Sequence, residues 1–171
     1  MKNTACVALA AIATLTIGLA GCGGSPTDKL AFSPPKGWTA TPAIFGAQVW
    51  IKQHQDDNKG DKKDTEIVLL LKVPQNAKTK TDDPFGPGDL GDNKYVRGAN
   101  VKSVSTVHIC GNHSARLFQA RDTDAQSKDS ATEMLFTTWG ADRYLALYSR
   151  PHGVAPDPQA EAAIRSVCAK A

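Results

Sequence analysis

Residues 132–149, TEMLFTTWGADRYLALYS, contain the pattern that decides the fold. Two segments, Thr132–Trp139 and Arg143–Ser149, are rich in aromatic, aliphatic and β-branched side chains and lie on either side of Gly140-Ala141-Asp142. Short apolar runs of this composition, bounded by turn residues, are typical of β-strands. A short connection that contains glycine joins two such strands as an antiparallel hairpin. The stretch therefore predicts neighbouring strands of an antiparallel sheet.

Further strands precede this hairpin. Val101–Ile109 alternates along its length, so that Val101, Val107 and Ile109 are expected on one face of the sheet. The continuous apolar run Glu66–Val73 indicates an interior strand that is covered on both faces. We predict an antiparallel sheet of about six strands: Gln48–Lys52, Glu66–Val73, Val101–Ile109, Ser114–Arg121, Thr132–Trp139 and Arg143–Ser149.

Two polar stretches interrupt the strands. His54–Asp64 has no apolar side chain and is predicted to be an exposed loop. Residues 75–100 combine prolines and glycines, and they are either a long functional loop or a segment that contains one short helix.

The chain ends in a predicted amphipathic helix. Asp157 is a suitable N-cap, Pro158 suits the first helical position, and Glu161 is favourable in the first turn. One apolar stripe is expected to face the sheet: Ala160, Ile164, Val167 and Cys168. The predicted fold class is therefore α+β, an antiparallel sheet packed by a C-terminal helix.

The order of these elements resembles the Mog1/PsbP-like family. The resemblance rests on the opening Phe32-Ser33-Pro34-Pro35-Lys36-Gly37-Trp38, the run of antiparallel strands, and Tyr144-Leu145-Ala146-Leu147-Tyr148 before the helix. It covers about residues 30–170 and implies an α/β/α sandwich. Members of this family mostly bind or assist other proteins, and the resemblance transfers no catalytic residue.

The first residues are predicted to form an export signal. Lys2 precedes Cys6–Leu19, an uncharged run of 14 residues. This run is shorter than the roughly 20 residues of a transmembrane helix. Leu19-Ala20-Gly21-Cys22 resembles the lipobox of bacterial lipoproteins, which implies a diacylglyceryl thioether on Cys22, cleavage before Cys22, and usually acylation (palmitate) of the new amino terminus. The alternative is an ordinary signal peptide with Cys22 as an unused thiol.

These boundaries give a signal peptide at 1–21, a small, polar lipidated tether at 22–29, and one globular domain at 30–171. Without Lys2 the chain has 19 basic and 17 acidic residues, a net charge of about +2 that indicates no nucleic-acid binding. The implied location is the cell envelope, outside the cytoplasm and anchored to a membrane. In a two-membrane cell, Gly23 would by resemblance favour the outer membrane.

The remaining cysteines agree with export. Cys6 leaves with the signal, so Cys110 and Cys168 are free to pair in an oxidising envelope, which would pin the last helix to the sheet. Two separate buried thiols are the alternative. His108, Cys110 and His113 are a weak candidate for zinc or copper, since imidazole and thiolate are ligands of both metals, but a disulfide at Cys110 would leave only two histidines.

The sequence thus predicts a non-enzymatic, lipid-anchored envelope protein that binds or assembles with a protein partner. It predicts no cofactor and no catalytic residue. The alternative is a lipoprotein that binds a small ligand or a metal ion, with Trp38, Trp50 and Trp139 as cleft residues; tryptophans at strand positions are more often core.

Overall fold

The computed structural model of the protein describes residues 28–44, 46–54, 64–73, 100–122, 130–151 and 153–170. Its elements in chain order are β1 (Leu30–Ala31), β2 (Thr39–Ile44), β3 (Ala47–His54), β4 (Asp64–Val73), β5 (Asn100–Ile109), β6 (His113–Asp122), β7 (Ser130–Trp139), β8 (Asp142–Pro151), α1 (Pro158–Arg165) and β9 (Cys168–Ala169).

Seven strands form one antiparallel sheet in the order β2-β3-β4-β8-β7-β6-β5. Within the described residues, β2 and β5 are its two edges and do not pair with each other, so the sheet is open. The short strands β1 and β9 pair separately. Helix α1 packs against β4, β7 and β8, which are adjacent in the interior of the sheet.

Both faces of the sheet contribute to the core. On the face that carries α1, Val68, Leu70, Leu135 and Tyr148 pack with Ile164 and other buried residues of the helix layer. On the opposite face, Phe118, Met134, Phe136 and Leu145 form a second buried cluster. The sheet is therefore buried on both faces around these interior strands.

All six predicted strands are confirmed, and the antiparallel order of β5 to β8 is confirmed as well. β4 is interior, as predicted, but its alternate residues Ile67, Leu69 and Leu71 are only half-buried. β2 and the β1–β9 pair were missed. The two-residue strands are too short to show a periodic pattern, and Pro42 lies inside β2.

One predicted face of β5 is wrong. The register shifts between Val101 and Ser103, so Val101 packs against the second cluster while Val107 and Ile109 pack against the first. An extra residue in a β-bulge reverses the alternation beyond it. The expectation that all three share a face did not allow for this bulge.

The helix begins as predicted and ends earlier. The Asp157 side chain accepts a hydrogen bond from the Gln159 backbone N–H, and Pro158 occupies the first turn. Ser166 ends the helix by donating its N–H to the Ala163 carbonyl, after which Cys168 pairs in β9 with Ala31. Placing Cys168 on the helix was therefore wrong, because the chain turns away to pair with β1.

Candidate binding cavity

A cavity of about 460 Å³ opens where β6, β7 and β8 meet residues 153–155. Arg121, Ala131 and Arg150 lie directly opposite one another across these three strands. Directly opposed residues of an antiparallel sheet point to the same face. Ala131 is the only one of the three without a long side chain, so two guanidinium groups flank an open space above it.

The next row of the same face contains Gln119, Glu133 and Tyr148, again in direct register. The three side chains line the cavity together with Lys102 of β5. Gln119 donates a hydrogen bond from Nε2 to Glu133 Oε1 at 3.3 Å. The wall therefore has three cationic side chains and one carboxylate.

Glu133 is the most unusual group of this wall. Its Oε2 is buried and accepts no hydrogen bond, and Arg165 Nη2 lies 3.8 Å from it. Burial raises the pKa of Glu133 above its ordinary value, and the nearby negative charge of Glu161 raises it further. The positive charge of Arg165 lowers this pKa, but the net shift is upward. A buried carboxylate oxygen without a hydrogen-bond donor is costly, and the charge of Arg165 compensates it only in part.

Behind the cavity, Tyr148 connects it to a buried polar cluster, defined as Lys52, His54, Glu66, Tyr148 and Asp157. The Tyr148 hydroxyl donates to Glu66 Oε2 and accepts the Asp157 backbone N–H at 2.9 Å. Burial raises the pKa of Tyr148, and its hydrogen bond to Glu66 raises it further. The hydroxyl is therefore neutral at physiological pH and ties β8 to the start of α1.

Glu66 is 1% exposed and is the centre of this polar cluster. His54 Nε2 lies 2.5 Å from Glu66 Oε1, and Lys52 Nζ lies 3.7 Å from the same oxygen. With Tyr148 on Oε2, both carboxylate oxygens have close partners. A buried carboxylate requires such pairing, since an isolated one would be strongly destabilising. The cluster therefore joins β3, β4 and β8.

Lys52 also binds the carboxylate that caps the helix. Its Nζ lies 2.8 Å from Asp157 Oδ2. This hydrogen bond is the main reason that the pKa of Lys52 is raised. Burial by itself would raise the pKa of Asp157, but the bonds from Lys52 and from the Gln159 backbone N–H outweigh it, and the pKa is lowered. Both groups are therefore charged at neutral pH.

Replacing Tyr148 by phenylalanine is expected to lower the free energy of unfolding by about 3 kcal/mol, because two buried groups, Glu66 Oε2 and the Asp157 N–H, lose a partner. Urea denaturation measures this. Tyr144→Phe is the matched control on the same strand, since within the described residues the Tyr144 hydroxyl makes one long bond, 3.4 Å to Asp142. Equal losses in both variants would contradict the role given to Tyr148.

The predicted cysteine pair is present, since Cys110 and Cys168 form a disulfide. It links the turn between β5 and β6 to β9. The predicted metal candidates do not come together. His113 of β6 lies directly opposite Ile109 of β5, so these two side chains point to the same face of the sheet. His108 precedes Ile109 on β5 and therefore points to the opposite face. The His113 ring instead stacks on the Trp139 ring, with the ring centroids 3.5 Å apart. Its Nε2 lies 3.0 Å from Thr137 Oγ1.

The three tryptophans pack, partly buried, against the main core cluster. Trp38 and Trp50 are thus part of the packing around Tyr148 and Phe32. Trp139 also lines a second cavity of about 570 Å³ beside Asp142 and Tyr144. Of the two cavities described, one has a tryptophan in its lining, Trp139.

Sequence reasoning missed the residues that line the cavity between β6, β7 and β8. Arg121, Glu133 and Arg150 are far apart in sequence and match no motif. For the polar cluster behind the cavity, the sequence offered one indication, Glu66, because a carboxylate in a buried strand needs a partner. That partner cannot be read from the sequence.

Several predictions lie outside the described residues: the signal peptide at 1–21, lipidation of Cys22, most of the tether, the loop at 55–63 and the segment 75–99. Within the part of the chain that the structure describes, no helix is long and apolar enough to cross a membrane.

No protein-family model matches this chain, and no curated protein is similar to it. Among solved structures, a crystal structure from Bacteroides thetaiotaomicron VPI-5482 is 14% identical, with a TM-score of 0.46. The similarity covers 84% of this chain and 48% of the other, so this chain spans about half the length of that protein. At this level of similarity, neither fold nor function is transferred.

Proposed function

We propose that this protein is a lipid-anchored protein of the cell envelope whose domain binds a protein partner without catalysis. The lipobox-like Leu19-Ala20-Gly21-Cys22 supports the anchor. The Cys110–Cys168 disulfide adds to this support, because it accounts for the other two cysteines that would remain after cleavage. In a cell with two membranes, Gly23 favours the outer one.

The observation that carries the binding role is β5, an edge strand among the described strands of the sheet. Lys102 to Thr106 are all exposed, and Val104, at 42%, is the exposed large hydrophobic residue of the described chain. The strand is rich in β-branched residues and has one lysine. A long edge with these properties is a template for an added strand.

The opposite edge is protected. β2 has six residues, contains Pro42, and its register with β3 shifts between Thr41 and Ile44. Proline and irregular pairing are the devices that prevent strands from adding to an edge. The contrast favours β5 as the docking edge, and the occupant that we propose is an extended segment of another envelope protein.

A photo-crosslinking amino acid at Val104, in the full protein in its own cells, tests this proposal. We expect an adduct of one defined mass, and no such adduct from the matched position Ala43 on β2. Thr106→Lys should reduce the Val104 adduct several-fold, since a mismatched cross-strand pair costs up to about 1 kcal/mol.

Equal adducts from Val104 and Ala43, or none from Val104, would contradict the docking edge. An adduct of twice the chain mass would show that a second copy, rather than another protein, pairs with β5.

The second candidate function is small-ligand binding, and the cavity between β6, β7 and β8 is the observation that favours it. For the fold family, we propose the Mog1/PsbP-like α/β/α sandwich. The antiparallel sheet and the C-terminal helix support this assignment, which requires a second helical layer on the face of Phe118 and Phe136. An experimental structure that lacks this layer would exclude it.

A further inference from the structure

We infer that the cavity of about 570 Å³ beside Trp139 is a binding site for an uncharged sugar unit. Its lining comes from the β7–β8 turn and from the residues at the β1–β9 pair, so the site is separate from the β5 docking edge and from the cavity between β6, β7 and β8. It does not depend on the lipid anchor. Its volume lies within the range of small-molecule sites, about 300–1,000 Å³.

Trp139 gives this cavity an aromatic wall. His113 covers one face of the indole, since the two rings are stacked with an interplanar angle of 16°. Trp139 is nevertheless only half-buried, and it lines the cavity with surface that His113 leaves uncovered. A pyranose ring has one face that consists mainly of C–H groups, and burial of this face against an aromatic side chain removes apolar surface from water.

The lining also contains three small residues. Gly140 and Ala141 form the β7–β8 turn, Ala169 belongs to β9, and all three are exposed. None of them has a side chain that extends beyond Cβ. A sugar ring can therefore approach the indole on this side without meeting a long side chain.

Asp142 and Lys29 supply the polar groups that a sugar needs. Asp142 Oδ1 lies 3.0 Å from Lys72 Nζ, and its Oδ2 lies 3.2 Å from Lys29 Nζ. Hydrogen bonds from Lys72 and Lys29 lower the pKa of Asp142, so its carboxylate is ionised and held in place, with 12% of the side chain still exposed. A sugar hydroxyl both donates and accepts hydrogen bonds, and the ion pair of Lys29 with Asp142 offers it ammonium donors and a carboxylate acceptor together.

The charges of the lining favour an uncharged ligand. Among the described residues that line the cavity, Asp28 and Asp142 are balanced by Lys29 and Lys170. A charged sugar would add a charge that this set does not compensate, whereas a neutral sugar needs only hydrogen bonds. A purely apolar ligand would cover the exposed part of the ion pair without offering it hydrogen bonds, which is costly.

The segments that carry these groups are ordered before a ligand arrives. The Lys170 N–H donates to the Lys29 carbonyl at 3.1 Å, next to the β1–β9 pair. The Cys110–Cys168 disulfide holds the start of β9. Groups that are already ordered lose less conformational entropy on binding.

Two-dimensional NMR titration of the full-length protein with D-glucose, D-glucuronate and D-glucosamine tests the site, because these sugars are neutral, anionic and cationic. We expect D-glucose to shift the indole N–H signal of Trp139 and the backbone signals of Gly140 and Asp142, with a dissociation constant of about 1–10 mM for a ligand of this size. The indole signals of Trp38 and Trp50 should not move. The two charged sugars should bind at least about threefold more weakly.

Two variants test the assigned groups. Trp139→Leu should weaken D-glucose binding at least about tenfold, and Lys29→Met about threefold. Lys36→Met is the matched control, since Lys36 is an exposed lysine that does not line the cavity. Urea denaturation of each variant separates loss of binding from loss of folding, and the comparison of the three sugars on the unmodified protein needs no variant.

The absence of shifts at Trp139, Gly140 and Asp142 with D-glucose would overturn the proposal. Binding of D-glucuronate or D-glucosamine as tight as that of D-glucose would overturn the assignment of an uncharged ligand. Undiminished binding to a folded Trp139→Leu variant would overturn the role of the indole. None of these results depends on the crosslinking result at Val104.

Discussion

Replacement of Cys22 by alanine is expected to move this protein from the membrane fraction of its cells to the supernatant. Each buried CH₂ of a lipid chain contributes about 0.8 kcal/mol, so two or three acyl chains hold a protein firmly and their loss removes the attachment. The effect should be nearly complete, because the acyl chains supply the attachment.

Cys6→Ala is the matched control, because Cys6 lies in the predicted signal and should be absent from the mature protein. Membrane fractionation of both variants, with mass spectrometry of the mature N-terminus, measures the result. An unmodified Cys22 in the wild-type protein, or a mature chain that begins elsewhere, would contradict the lipoprotein assignment.

Removing the Cys110–Cys168 disulfide should have the largest effect on stability. The bridge joins residues 58 positions apart, and the chain-entropy treatment of such a loop gives about 4 kcal/mol. It also holds β9, a strand of two residues that pairs only with β1 among the described strands. Without the bridge, we expect this pair and the end of α1 to open first.

The suitable variant is Cys110→Gly with Cys168→Ala. Cys110 has a φ of 51°, a left-handed conformation that glycine adopts without strain, so the loss measured is that of the bridge. Urea denaturation in the Cys22→Ala background compares this variant with the oxidised and the reduced parent. A denaturation midpoint that does not differ between the variant and the oxidised parent would show that the bridge contributes no stability.

Local pattern was sufficient for most of the fold. The strand composition of β7 and β8 and the N-cap of α1 depend on residues within one element, and the structure has these elements where predicted. The errors occur where the structure of a segment depends on its pairing with a segment that is distant in sequence. The bulge at Val101 depends on β6, and the early end of α1 depends on the pairing of Cys168 with β1.

The candidate site could not be predicted in the same way. Arg121, Glu133 and Arg150 become neighbours only through the registers of β6 with β7 and of β7 with β8. Glu66 finds His54 on β3 and Tyr148, 82 residues away, on β8. Cross-strand register is set by the packing of whole faces, and a shift of one residue would exchange every neighbour.

The sequence by itself determined the antiparallel strands, the capped helix and the expectation of an anchor at Cys22. Each of these depends on contacts or signals within a short stretch of chain, where spacing carries the information. Only the tertiary structure decided that His108 and His113 point to opposite faces and that Glu133, Arg121 and Arg150 line one cavity. These relations depend on strand register, in which residues remote in sequence lie about 5 Å apart.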